Sequence, residues 1–154
     1  MNRTSASLAV LSLSIAACAG LAESSSAHGR ALQTDAILAE VLRYQVQDLA
    51  KDAAVPQQGV VCVGVLKDNA TVDPGRRVMQ QLPAGDRIRE QSRCPADSAG
   101  TLVVGPIDWI ADTEVRVRSV RRVRHQAATP VVYRVVRDAG RWVCGGPILA
   151  YDPL

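Results

Sequence analysis

The stretch from Ala111 to Tyr151 limits the possible folds more than any other part of the chain, because it alternates Val with polar residues at the period of a half-buried sheet. Three strands are predicted there, Thr113 to Arg124, Val131 to Arg137 and Arg141 to Leu149. The turn Asp138-Ala139-Gly140 supplies a glycine for the positive φ that a short hairpin loop demands. The C-terminal part therefore reads as an antiparallel meander.

Upstream, the pattern changes to that of a helix. Thr34 or Asp35 is placed to cap it, and Ile37, Leu38, Val41, Leu42, Val46 and Leu49 recur on one face until Pro56 ends the run. Gly59 to Leu66 is a short apolar run of the kind found in a strand covered on both faces, and Lys67 to Val72 reads as a loop. Asp73-Pro74 predicts a cap and first-turn Pro for a short helix through Val78, Met79 and Leu82, stopped by Pro83-Ala84-Gly85-Asp86. Arg87 to Gly100 has no regular period. A further strand is expected from Thr101 to Ile110, with Gly105-Pro106 marking a bulge or an edge.

Helices followed by segregated strands define an α+β class. The expectation is an N-terminal helix and a short second helix packed on a curved, mostly antiparallel sheet of four to five strands, with one domain over 34–154. At 154 residues and 47% hydrophobic, the chain can build one real core. It contains no Phe, so Val, Leu and Ala must fill most of that core. This layout, with the tail Tyr133-Arg134-Val135-Val136-Arg137-Asp138-Ala139-Gly140-Arg141-Trp142-Val143, resembles the cystatin-like or NTF2-like group, in which a curved sheet wraps a helix. That group includes small enzymes, ligand carriers and interaction modules, so the resemblance leaves the function open.

The first residues form an address. Arg3 precedes the apolar run Leu8 to Ala17, about ten residues, which is the pattern of a secretory signal peptide over 1–17 and is shorter than the roughly 20 residues of a spanning helix. Ile15-Ala16-Ala17-Cys18 resembles the bacterial lipobox. The resemblance implies that Cys18 becomes the new N-terminus and carries a diacylglyceryl group. It also implies a lipid-anchored protein of the cell envelope, facing the periplasm or the exterior. Ala19 stands where an inner-membrane retention signal would place Asp, which favours the outer membrane. The small residues at Gly20-Leu21-Ala22 and Ser25-Ser26-Ala27 also suit ordinary signal peptidase, which would remove Cys18. Residues 18–33 lack an apolar period and read as a flexible tether.

The chemistry-bearing residues are sparse. His28 lies in the tether and His125 in a turn, and no paired Cys or His spacing suggests a metal, so no cofactor or metal is expected. Neither a nucleophile elbow nor a phosphate-cradling glycine loop is present, and Gly145-Gly146-Pro147 reads as a bend in the last strand. Asp108 and Asp112 are an even number apart and, with Glu114, form the one candidate carboxylate cluster for acid–base chemistry. In an oxidising compartment Cys94 has Cys62 or Cys144 as a disulfide partner, with Cys62 favoured, and the remaining thiol serves as a small buried apolar group.

Charge gives the one positive lead. Thr113 to Arg141 holds eight arginines against Glu114 and Asp138. A regular strand turns Val115, Val117 and Val123 to the core and Arg116, Arg118, Arg122 and Arg124 to the other face, with guanidiniums about 7 Å apart along the strand. Arg121 then points inward, so a bulge near Ser119-Val120 is expected. Such arginines also serve any solvated sheet face and guard its edges. Nucleic acid is not expected, because an exported protein does not meet it and stacking aromatics are missing. The expected function is a non-catalytic binding module, an inhibitor or immunity-type lipoprotein, whose arginine face meets an acidic protein or an anionic envelope component. The alternative is a small enzyme or ligand carrier with a pocket between helix and sheet, using Asp108, Asp112 or His125, or lined by Trp109 or Tyr133.

Overall fold

The computed structural model describes residues 19–52, 59–83, 85, 87–124 and 126–148, with side chains from residue 29 onward. The chain divides into two units, one ending at Ala31 and the other starting at Leu32. Helix α1 runs Ala19–Leu49. It starts well before the expected cap at Thr34 or Asp35, so the described part of the expected tether is helical. The reason is local: Ala, Leu, Glu and Gln are strong helix formers, and no Pro occurs between Ala19 and Leu49. No helix among the described residues is long and apolar enough to cross a membrane.

In the second unit, Ile37, Leu38, Val41, Leu42 and Leu49 are buried, as the three-to-four spacing requires, and Val46 packs beside them. Seven strands follow among the described residues: β1 Val61–Lys67, β2 Ala70–Val72, β3 Ile88–Glu90, β4 Gly100–Ala111, β5 Glu114–Val123, β6 Thr129–Asp138 and β7 Arg141–Ile148. They form one sheet in the order β2-β1-β4-β5-β6-β7, with β3 also paired to β1. This corrects the expected four to five strands. The two additions are three-residue strands, one from the segment read as a loop and one from the stretch without a regular period, too short to show a period.

One edge of β1 is shared, its C-terminal half pairing antiparallel with β2 and its N-terminal half parallel with β3, while the other edge pairs parallel with β4. Strand β1 is therefore interior, and Val61, Cys62, Val63 and Gly64 are all buried. The second helix, α2, is one turn, Arg76–Met79, with Gly75 at its N-cap. Asp73 does not cap it. Its carboxylate accepts from the Ser92 amide at 2.8 Å and from the Ser92 hydroxyl, tying this loop to the 3-10 turn Gln91–Arg93.

From β4 to β7 the sheet is an antiparallel meander. The β4–β5 register shifts between Val104 and Ile107, so the extra residue lies at Gly105-Pro106. Gly105 has φ +106, and a Cβ there would stand 3.1 Å from the Leu66 carbonyl oxygen. Strand β5 pairs with β6 without interruption from Glu114 to Arg121, so the bulge expected at Ser119-Val120 is absent. The β6–β7 register shifts between Tyr133 and Val135, which places the extra residue at Gly145-Gly146, where Gly146 has φ +99. Leu102, Val104, Val115, Val117, Val123, Tyr133, Val135, Trp142 and Cys144 join the α1 residues in one core.

A candidate anion-binding sheet face

Strand β5 alternates without a break. Val115, Val117, Ser119 and Val123 are buried, and Arg116, Arg118, Val120 and Arg122 are exposed. Arg121 falls on the inner side, as its parity demands, and needs no bulge because α1 answers its charge. Its guanidinium reaches Asp48 at 2.8 Å and Asp52 at 2.6 Å. Asp48 lies in the last turn of α1 and Asp52 just past it, where the Asp52 amide donates to the Leu49 carbonyl at 3.1 Å and turns the chain back toward Arg121. Beside them Gln45, 1% exposed, donates to the Ser119 hydroxyl, which donates to the Val103 carbonyl at 2.9 Å. This polar seam between helix and sheet was missed in the sequence.

The four arginines of the expected face divide into two sets. Arg118 is paired with Asp108 at 3.2 Å, and the next strand's Arg134 makes a two-pronged contact with Glu114 at 2.9 and 2.8 Å. Arg116 is the cross-strand partner of both Asp108 and Arg134, so it stands between these pairs. The Arg134 guanidinium holds the Glu114 carboxyl below the usual range, and Glu114 in turn raises Arg134. At the other end Arg122 and Arg124 line a cleft of about 570 Å³ with Ala96, Asp97, Ser98, Gly100 and Thr101. Neither makes a salt bridge among the described residues. Arg124 lies just past β5 at φ +44, and its amide donates to the Ala99 carbonyl at 3.1 Å.

The carboxylates of the alternative, enzymatic reading are otherwise engaged. Asp108 and Glu114 each hold an arginine, and Asp112 lies in the β4–β5 turn beyond the irregularity between Trp109 and Ala111. An even residue spacing no longer keeps two side chains on one face across such an irregularity. Among the described residues no group of three or more His, Cys, Asp or Glu gathers to hold a metal. Cys18 and His125 lie outside the described residues, and of His28 only the backbone is described.

Cys62 and Cys94 form a disulfide with their Cα atoms 5.6 Å apart, fastening the turn after Gln91–Arg93 to interior strand β1. Cys144 is free and buried, and burial pushes its thiol up. Burial likewise raises the Tyr133 phenol, which packs edge to face against Tyr44. Trp109, 42% exposed, packs edge to face on buried Trp142. No known protein-family model, curated protein or solved structure matches the chain.

Proposed function

We propose that this chain is a lipid-anchored cell-envelope protein, facing the periplasm or the exterior, whose folded domain is a non-catalytic binding module in the manner of an inhibitor or immunity-type lipoprotein. The anchor is Cys18, exposed by removal of residues 1–17. The fold belongs with the cystatin-like or NTF2-like group. The arginine face of β5 meets an acidic protein or an anionic envelope component. The observation that carries this is the pairing pattern: Arg122 and Arg124 are exposed and serve no internal salt bridge among the described residues, unlike Arg118, Arg121 and Arg134. Exposed cations at strand spacing give salt-sensitive attraction to an acidic surface.

The test is retention on immobilised polyglutamate. The protein is expected to elute at clearly higher salt than a variant carrying Arg116→Glu, Arg118→Glu, Arg122→Glu and Arg124→Glu with unchanged circular dichroism. Equal elution would overturn the proposal.

A ligand carrier is a second reading, favoured by one observation. A cavity of about 230 Å³ lies beneath the end of α1, lined mainly by Val46, Leu49, Ala50, Val61, Pro83 and Ile88. Short-chain fatty acids raising the melting temperature, with Val61→Trp abolishing the effect, would support it.

A further inference from the structure

Resting on that reading of the face, we infer that the cleft at the open end of β5 is a binding subsite for a tetrahedral oxyanion, a phosphate or phosphodiester held between Arg122 and Arg124. Arg122 and Thr101 are direct cross-strand partners, which fixes their side chains on one face about 5 Å apart at Cβ. Ser98 and Thr101 add hydroxyl donors, and the cleft of about 570 Å³ has room for the anion and its first substituent. A tetrahedral anion accepts from several directions, which suits donors arriving from two strands and a loop better than a planar carboxylate does. The frame is rigid. The Ala99 amide donates to the Val60 carbonyl at 2.7 Å, the Ser98 amide to the Pro95 carbonyl at 3.1 Å, and the preceding Cys94 is bonded to Cys62. A Cβ on Gly100 would stand 3.0 Å from the Arg122 carbonyl oxygen, so the backbones meet closely here. Arg124 occupies a left-handed position that Asn or Gly adopts more readily, a cost consistent with a required side chain. Asp97 is the one acid in the cleft and opposes the anion.

The shared chemistry has two sources, a free phosphate compound or a phospholipid headgroup. The experiment follows backbone amide and arginine Nε resonances of the full-length protein, titrated separately with inorganic phosphate and with dihexanoyl-phosphatidylglycerol below its micelle concentration. Saturable shifts are expected at Gly100, Thr101, Arg122 and Arg124. Arg122→Gln and Arg124→Gln should each weaken binding about tenfold, Asp97→Asn should strengthen it about threefold, and Arg76→Gln, exposed on α2 away from the face, should leave it unchanged. Tighter binding of the lipid assigns the headgroup as source, and equal or tighter binding of inorganic phosphate assigns a free phosphate compound. Shifts that never saturate with either probe, or that survive Arg122→Gln in a variant with an otherwise unchanged spectrum, would overturn the subsite. If polyglutamate retention still depends on the arginines in that case, the subsite alone fails. If that dependence is lost as well, the reading of the whole face fails.

Discussion

Arg121 fastens the sheet to the end of α1 and the turn after it. Its side chain is 20% exposed and reaches Asp48 at the end of α1 and Asp52 just past it. A partly buried guanidinium stripped of both acids, or both acids stripped of it, carries an uncompensated desolvation cost. Arg121→Leu is expected to lower stability by about 1–2 kcal/mol in urea denaturation, discounted because Asp48 and Asp52 face solvent in part. No change would show the contacts to be incidental. The buried Gln45–Ser119 pair behaves differently, because Gln45 Oε1 has no hydrogen-bond partner among the described residues. Ser119→Val alone orphans the Gln45 amide nitrogen and should cost about 1–3 kcal/mol. Adding Gln45→Leu removes both unpaired groups and should restore most of that loss, which a double-mutant cycle by denaturation reads directly.

The ion pair of Glu114 and Arg134 predicts a pH dependence. The folded-state pKa of Glu114 lies below its ordinary value, chiefly through the Arg134 hydrogen bond. The folded state therefore holds this proton less readily than the unfolded chain. The pair's contribution is present above about pH 4.3, the ordinary Glu value, and is lost as pH falls through the folded pKa. Glu114→Gln should flatten the acid side of the stability curve, and an unchanged acid slope would contradict the assignment.

At the scale of elements, legibility followed periodicity. The α1 face, the buried run of β1 and the β5–β7 meander each carry five or more residues of consistent period, and all stand in the structure. Strands β2 and β3 carry three residues each, too few for any period to show. The helical start of α1 was hidden because residues 19–33 have helix propensity without an apolar stripe. Arg121 was misjudged because a charge facing inward suggested a defect in its own strand, whereas the register defect lies in the neighbour, at Gly105-Pro106. The two acids of Arg121, at the end of α1 and just past it, lie 73 and 69 positions away, so no local pattern points to them. Gly105→Ala is expected to destabilise by at least about 1–2 kcal/mol, since φ +106 excludes an ordinary side chain and the Leu66 carbonyl blocks relief. The Cys62–Cys94 bridge spans 32 positions, and replacing both residues by Ala should cost about 3–4 kcal/mol in denaturation under oxidising conditions. Loss of less than half that would indicate that the β1–β3–β4 end is held by pairing alone.

At the scale of the whole molecule, the sheet has one side filled by α1 and the core, and an opposite side on which paired and unpaired arginines alternate with exposed Val120. The paired set near Glu114 is stiffened by its acids, and the unpaired set near Thr101 lines the cleft. What such a face meets depends on the compartment, and the compartment depends on Cys18. The decisive measurement is the intact mass of the protein purified from the membrane fraction, with free thiols alkylated in denaturant before reduction. The predicted mass begins at Cys18 with its acyl chains and carries one alkyl group, on Cys144. A mass beginning after Ala22 or Ala27, without lipid, would contradict the envelope-anchored binding module.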